Sequence, residues 1–249
     1  MLPQSSIKSC IGEPLIVLPQ VDSTNNYAMG QVHAGLARHG MAYFAVDQFQ
    51  GKGQRGKQWV SVPGENIAIS YVLDTSPFKI DKAFPLSASI ALACYSFIKK
   101  LTGIDSYIKW PNDVYINDRK AGGILIENVL RGNQWSYSIV GIGLNINQLR
   151  FPETLKNPVS LKMVTGIHYN TLELVPALSE SVEAAFQNFS DPNNNPLDHY
   201  NRRLFRINET VNFNKDGQVF QARVLGVNDQ GQLETSVGPF AHGELEWIL

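Results

Sequence analysis

The sequence predicts an α+β fold, a mixed β-sheet packed with helices and followed by a small β-barrel. Three observations carry this. Lys82 to Leu101 reads as a long helix that is apolar on most sides, the mark of a helix buried against other structure. Residues 66–73 and 136–147 alternate with the two-residue period of a strand. From Glu209 onward the texture changes to short β runs with turn signals at Lys215-Asp216-Gly217, Asn228-Asp229-Gln230-Gly231 and Gly238-Pro239, a spacing that suits a barrel of about five strands. The expected division is a larger domain over 1–205 and the small barrel over 206–249.

Residues 15–19 form a short strand. A helix from about Asn25 to Ala37 follows Asp22, Ser23 and Thr24, all good N-cap types. These side chains can cap the helix, or their hydroxyls and the Asn25 amide can face a pocket beside its first turn. Met41 to Val46 is an apolar strand. Asp81 can cap the long helix. Tyr107–Trp110 and Val114–Ile116 are β segments split by Pro111-Asn112-Asp113, and Asn117-Asp118 suits a two-residue turn. The chain returns through Arg119 to Glu127. In 136–147, Gly141, Gly143, Asn145 and Asn147 fall on one face and Val140, Ile142, Leu144 and Ile146 on the other. Such glycines mark either close approach of another group or a bulge. Thr171 to Phe189 is a second amphipathic helix, and 197–204 a short one after the Ser190–Pro196 break.

The 249 residues are 43% hydrophobic, ample for a core, and carry a net charge of −1, which gives no general attraction to nucleic acid or membrane. Cys10 and Cys94 are far apart and in no C-x-x-C pattern, which suits a reducing compartment. The N-terminus lacks the blocks of a signal peptide, and no apolar run approaches the ~20 residues of a membrane span. The chain therefore reads as cytoplasmic.

The densest chemistry lies in Gln48-Phe49-Gln50-Gly51-Lys52-Gly53-Gln54-Arg55-Gly56-Lys57-Gln58-Trp59. Glycines among cations let backbone N–H groups and positive side chains converge on an anion. The segment fits a dinucleotide fingerprint and most of a P-loop. Both motifs need a helix to begin inside them, whereas Trp59-Val60-Ser61-Val62-Pro63-Gly64 has no helical period. Having no apolar side chain in 50–58, the loop is expected to stand open until a ligand orders it. The five histidines show no metal-ligand spacing, and no nucleophile elbow or Cys-His pattern is present. What remains is Lys52, Arg55, Lys57, Lys109, Asn112, Lys120 and Asn145. Cations and amides without a protein nucleophile suit phosphate chemistry by positioning and charge neutralisation. Attack of a carboxylate on the α-phosphate of ATP is such a reaction.

Six segments in order resemble the biotin protein ligases: Ser23-Thr24-Asn25, Gln48, the glycine-rich loop with Trp59, Lys109-Trp110-Pro111-Asn112-Asp113, Arg119 to Glu127, and Gly141-Ile142-Gly143-Leu144-Asn145-Ile146-Asn147. The resemblance spans 23–147, and the family's small SH3-like C-terminal barrel matches 209–249. It implies a class II synthetase-like catalytic fold that makes biotinyl-5′-AMP from biotin and MgATP, then passes biotin to a lysine of a biotin carboxyl carrier domain. By resemblance Ser23, Thr24, Asn25, Gln48, Lys52, Gly53, Gln54 and Lys120 serve biotin, and Lys52, Arg55, Trp59, Asn112 and Asn145 serve ATP. Lys120 and Arg55 are the implied catalytic pair, and Asp113 is the implied contact for Mg²⁺. ATP and Mg²⁺ act as substrate and its metal, with no permanently bound cofactor. The protein is expected to be a monomer or weak homodimer. Some family members carry an N-terminal winged helix, and the twenty-two residues before Ser23 are too few for one, so no DNA partner is expected. The rival readings are a lipoate ligase or octanoyltransferase of the same fold, and a non-enzymatic nucleotide- or DNA-binding regulator. The family's loop commonly reads Gly-Arg-Gly-Arg-Arg-Gly, where this chain has Lys52 and Gln54. Lysine lacks arginine's planar fork and glutamine has no charge, which bears on how tightly the intermediate is held.

Overall fold

Alternating apolar residues between 15 and 145 build one seven-stranded mixed sheet. The structure, a computed structural model, describes residues 10–248. The elements of the larger part are β1 (Leu15–Val21), α1 (Thr24–His33), β2 (Ala42–Gln48), β3 (Asn66–Asp74), α2 (Ala83–Thr102), β4 (Tyr107–Lys109), β5 (Asp113–Ile116), β6 (Arg119–Arg131), β7 (Gln134–Asn145), α3 (Leu161–Thr165), α4 (Val175–Ser190) and α5 (Pro196–Arg202). The strand order is β1-β2-β3-β7-β6-β5-β4. Only β1 and β2 run parallel; the other neighbours are antiparallel. None of the described helices is long and apolar enough to cross a membrane.

Period-two alternation sends side chains to two covered faces. Tyr43, Val72 and Ile139 pack with Ala28 and Val32 of α1. Phe44, Tyr71, Leu73 and Val140 belong to the main core with Ile90 and Phe97 of α2 and Val182 of α4. Small differences from the sequence reading have local causes. Helix α1 ends at His33, because Gly35 takes a left-handed conformation and the amides of Leu36 and Ala37 fold back onto the Gln31 carbonyl. Asp81 lies in a 3₁₀ turn before α2 and does not cap it. Helix α4 begins at Val175, with Pro176 in its first turn. The five-residue α3 was not predicted; Ser160 caps it and Gly166 ends it, signals too close together to read without the fold.

The C-terminal part is β8 (Thr210–Lys215), β9 (Gln218–Val227), β10 (Leu233–Thr235), β11 (Gly238–Phe240) and β12 (Glu246–Ile248), ordered β11-β10-β9-β8-β12. The strand number matches the expected barrel, but β11 and β12 do not pair, so the sheet stays open. Each has only three residues, and the segment between them is used in a turn closed by Glu244 N–H to the Ala241 carbonyl at 3.1 Å.

Both sheets share one apolar core, which includes Phe213, Val224 and Trp247 beside Phe97 and Trp110. Residues 203–205 lie along the edge strand β4: Ile108 N–H donates to the Arg203 carbonyl at 2.8 Å and Phe205 N–H to the Ile108 carbonyl at 2.9 Å. Asn201 grips Val227 through both its amide groups. Buried Trp110 donates its indole N–H to the Gly231 carbonyl at 2.9 Å. Trp110→Phe removes that donor and leaves a buried carbonyl unpaired, so it should lower stability by about 1–3 kcal/mol; urea denaturation measures it, and an unchanged midpoint would show that the two sheets are not locked here.

Candidate functional site

The site lies on the α1 side of the first sheet, over a floor with almost no side chains. In register, Ser70 of β3 faces Gly141 of β7, and Ala68 faces Gly143. On the other side of β7, Gly123 of β6 faces Gly143 and Leu125 faces Gly141. The pairing is regular there, and the irregularity of this ladder lies at Val129 and Leu130. Close approach, not a bulge, therefore accounts for the two glycines. Gly141 underlies the Asn25 amide so tightly that a Cβ would overlap it, and a Cβ on Gly143 would stand 2.6 Å from the Trp59 ring.

Polar groups at the start of α1 are held by a buried network. Ser23 is the N-cap residue, yet its side chain makes no capping bond. Instead Gln48, at the end of β2, accepts from Thr24 N–H at 2.7 Å and from the Thr24 hydroxyl at 3.0 Å. The Ser70 hydroxyl contacts Thr24 Oγ1 and Asn25 Oδ1 at 2.7 and 2.6 Å. Asn25 Nδ2 donates to Glu127 Oε2 at 2.7 Å and to the Leu125 carbonyl at 3.2 Å. Its amide is thus engaged on both ends, so Asn25 shapes the pocket as a fixed wall, while buried Ser23 lines it without a side-chain cap bond. Ser70 and Glu127 were missed as site residues; only strand register brings them under α1.

The glycine-rich loop is not open. It folds into a hairpin through Gly53 N–H to the Lys57 carbonyl (2.7 Å), Lys57 N–H to the Gln54 carbonyl (3.1 Å) and Trp59 N–H to the Gly51 carbonyl (2.8 Å). Arg55, at the tip, takes φ 56°. Lys52 pairs with Glu127 at 3.7 Å. The Arg55 guanidinium lies directly against Gly243, in the turn between β11 and β12, where any Cβ would collide with it. Backbone bonds and this seat replace the apolar contacts that the loop lacks.

Lys120 Nζ lies 2.7 Å from Asp113 Oδ1. Both are partly exposed to a cavity of about 940 Å³ that Ser23, Gln48, Trp59, Lys109, Asn145 and Trp247 also line. Asn112 donates to the Ile124 carbonyl at 2.6 Å, and Asn145 to the carbonyls of Val159 (3.0 Å) and Lys120 (3.3 Å); both amides hold β6 and the following loop in place at the cavity wall. Asn147 instead bonds Tyr169 at both ends and does not reach the cavity. Lys109 is partly buried. Burial pushes its pKa down to about 8, with Asp113 opposing and Lys120, Lys57 and Lys156 adding to the depression.

A ligand would find partners here. Trp59 Nε1 and Gln54 Oε1 are buried polar atoms without a hydrogen bond, which in a cavity wall mark places for a bound group. A protein-held metal fits less well. Among the described residues no group of three His, Cys, Asp or Glu side chains could hold one, and Asp113 is already engaged by Lys120. Gly141→Ala should force Asn25 off its partners and cost about 1–3 kcal/mol, as overpacking does; denaturant unfolding reads the loss, and a variant as stable as the parent would show that the floor has slack.

The model of the Biotin/lipoate A/B protein ligase family matches residues 17–145, just over half of the chain. The bifunctional ligase/repressor BirA of Escherichia coli (strain K12) is 28% identical over 242 residues, covering 94% of this chain and 74% of that protein. A biotin--[acetyl-CoA-carboxylase] ligase of Paracoccus denitrificans is 38% identical over 133 residues, 52% of this chain and 53% of its own. Among solved structures, the biotin protein ligase from Aquifex aeolicus in complex with biotin and ATP superposes with a TM-score of 0.77 at 24% identity, covering 95% of this chain and 99% of that one. At that identity the likeness is one of fold.

Proposed function

The chain belongs to the Biotin/lipoate A/B protein ligase family, and on that premise we propose that it is an AMP-forming ligase that activates biotin as biotinyl-5′-AMP and transfers it to one lysine of a biotin carboxyl carrier domain. The carrying observation is the floor itself. Along β7, Asn25 stands on Gly141 and Trp59 on Gly143, ~7 Å apart by strand rise. Lys120 Nζ reaches the floor at Gly123, which is paired with Gly143. A buried polar set at one end of this floor, with a cation and an aromatic ring side by side at the other, suits a biotin head at the first and the adenylate with its carboxylate–phosphate junction at the second.

Ser23, Thr24, Asn25 and Gln48 form the biotin end, where a polar ring meets preorganised donors and acceptors. Lys120 serves the junction. A carboxylate and an α-phosphate brought to ~4 Å repel by about 4 kcal/mol at an effective dielectric near 20, and an ammonium between them offsets that term. Asp113 holds this ammonium in place before substrates arrive. Lys52, Gly53, Gln54 and Arg55 cover the intermediate, and Trp59, Asn112 and Asn145 serve the adenylate side. Mg²⁺ enters with ATP as part of the substrate. The acceptor lysine is the nucleophile of the second step, so the enzyme need not supply one, and a covered site keeps water from the mixed anhydride. The catalytic work belongs to residues 1–205, with 206–249 as a small domain that completes the cavity.

Incubation with biotin, MgATP and a carrier domain should add one biotin per carrier by intact mass, and lipoate in place of biotin should add nothing; the reverse preference would overturn the reading. Lys120→Ala should abolish biotin-dependent pyrophosphate release while the fold persists, since one charge-assisted contact is worth ~1.5–3 kcal/mol and more in a dry site. Near-normal release by that variant would remove Lys120 from the role. Gln54→Arg should slow escape of labelled biotinyl-AMP several-fold, because it adds a charged donor where the present side chain has a buried, unpartnered oxygen. Equal or faster escape would show that Gln54 is not the weak point of the loop.

A further inference from the structure

The first arm of the glycine-rich loop is tied to the start of α1 at two points. Gln48, at its root, accepts from the Thr24 N–H and hydroxyl. Further along, Lys52 Nζ stands 3.7 Å from Glu127 Oε1, and Glu127 Oε2 accepts from Asn25 Nδ2 at 2.7 Å. One carboxylate thus serves the loop with one oxygen and α1 with the other. Asn25 cannot turn away, since its second amide hydrogen goes to the Leu125 carbonyl at 3.2 Å. Ser70 joins the two ties, because its hydroxyl touches Thr24 Oγ1 and Asn25 Oδ1. A continuous polar circuit, Gln48–Thr24–Ser70–Asn25–Glu127–Lys52, leaves the root of the loop and returns to its arm. Glu127 does not line the cavity. It sits on β6 opposite Ile139, one alternation beyond the Leu125–Gly141 pair of the floor. It therefore acts on a ligand through Asn25 and Lys52, which do line the cavity.

Resting on the ligase reading above, we propose that Glu127 is a positioning residue that fastens the glycine-rich loop to the biotin end of the cavity. In that reading Asn25 belongs to the biotin end and Lys52 to the cover. A ligand seated against Asn25 steadies the carboxylate, and the carboxylate steadies Lys52. By linkage the reverse holds with the same factor, so the fastened loop raises affinity for biotin as much as biotin fastens the loop. The pair is partly exposed, with 31% of the Glu127 side chain and 43% of the Lys52 side chain accessible, so that factor is about two- to fivefold, the worth of an ion pair at such a site. Lysine suits this use. Its point charge meets one carboxylate oxygen and leaves the other to Asn25, whereas an arginine fork would compete for both.

The test is limited trypsin digestion of the ligand-free full chain, read by mass as cleavage after Arg55 and Lys57, because cleavage tracks the population of the open form. Biotin binding is measured by calorimetry on the same samples. Glu127→Gln keeps a carbonyl oxygen for the Asn25 amide and turns its NH₂ toward Lys52, a donor facing a cation. It should raise cleavage at both sites about two- to fivefold and weaken biotin binding by a similar factor. Lys52→Met should raise cleavage likewise, and adding Glu127→Gln to it should change neither readout further, as a double-mutant cycle requires of two residues that act as one pair. Cleavage at the parent rate in Glu127→Gln, unchanged biotin affinity in that variant, or full additivity in the double variant overturns the proposal. A rise of the same size at sites outside residues 51–59 marks general loosening and overturns it too. A parent protein whose loop follows this pattern but which binds no biotin would reject the ligase reading and leave the fastening of the loop standing.

Discussion

Everything in the site depends on strand backbone that side chains leave bare. Glycine in a strand costs about 0.5–1 kcal/mol of chain entropy relative to alanine, and β7 has two where the cavity floor lies. The opposite face of the same strand compensates. Val140, Ile142, Leu144 and Ile146 are all at most 2% exposed, and burying such side chains contributes roughly 1.5–3 kcal/mol each. One strand can therefore anchor the core with one face and stand open on the other. Asn25 and Trp59 use that opening directly, and the buried network through Thr24, Gln48, Ser70 and Glu127 keeps the Asn25 amide from collapsing into it.

Charge is arranged with the same economy. Three cations rest on carboxylates whose separations run from 2.7 to 3.7 Å, so they can exchange those partners for substrate oxygens. Exposed pairs of this kind contribute little to stability, and their use is to hold position. Lys109 has no such partner among the described residues, and burial first, with neighbouring cations adding to it, depresses its ammonium. The seat of Arg55 against Gly243 and the contact of Lys109 with Trp247 make the second sheet a wall of the cavity.

Much of this was legible along the chain. The cation-rich loop and the Lys109–Asp113 segment point to anion chemistry along the chain alone, and glycine alternation in 141–147 to close approach or a bulge, because strand period and glycine's missing Cβ are local properties. The long helix, the strand pairs and the five terminal strands followed from period and turn residues for the same reason. The errors lie where contacts are non-local. The loop composition predicted an open segment, yet its own backbone and the distant Gly243 fold it. The two readings left open at the start of α1 were decided by the distant Gln48, whose side-chain oxygen accepts from the Thr24 N–H while Ser23 makes no cap bond. The terminal strands suggested a barrel, and the short end strands leave it open.

The sequence by itself determined the elements and the residue types of the site, since periodicity, capping chemistry and charge are written within a few residues of one another. Only the tertiary structure decided which face of β7 receives Asn25 and Trp59, and that Ala68, Ser70 and Gly123 extend the bare floor beyond its own strand. It also decided that Glu127 joins Asn25 to Lys52, and that Trp247 stands beside Lys109. The physical reason is register. Strand pairing and sheet-to-sheet packing bring together residues as far apart as Arg55 and Gly243, 188 positions along the chain, and no local pattern specifies such a meeting.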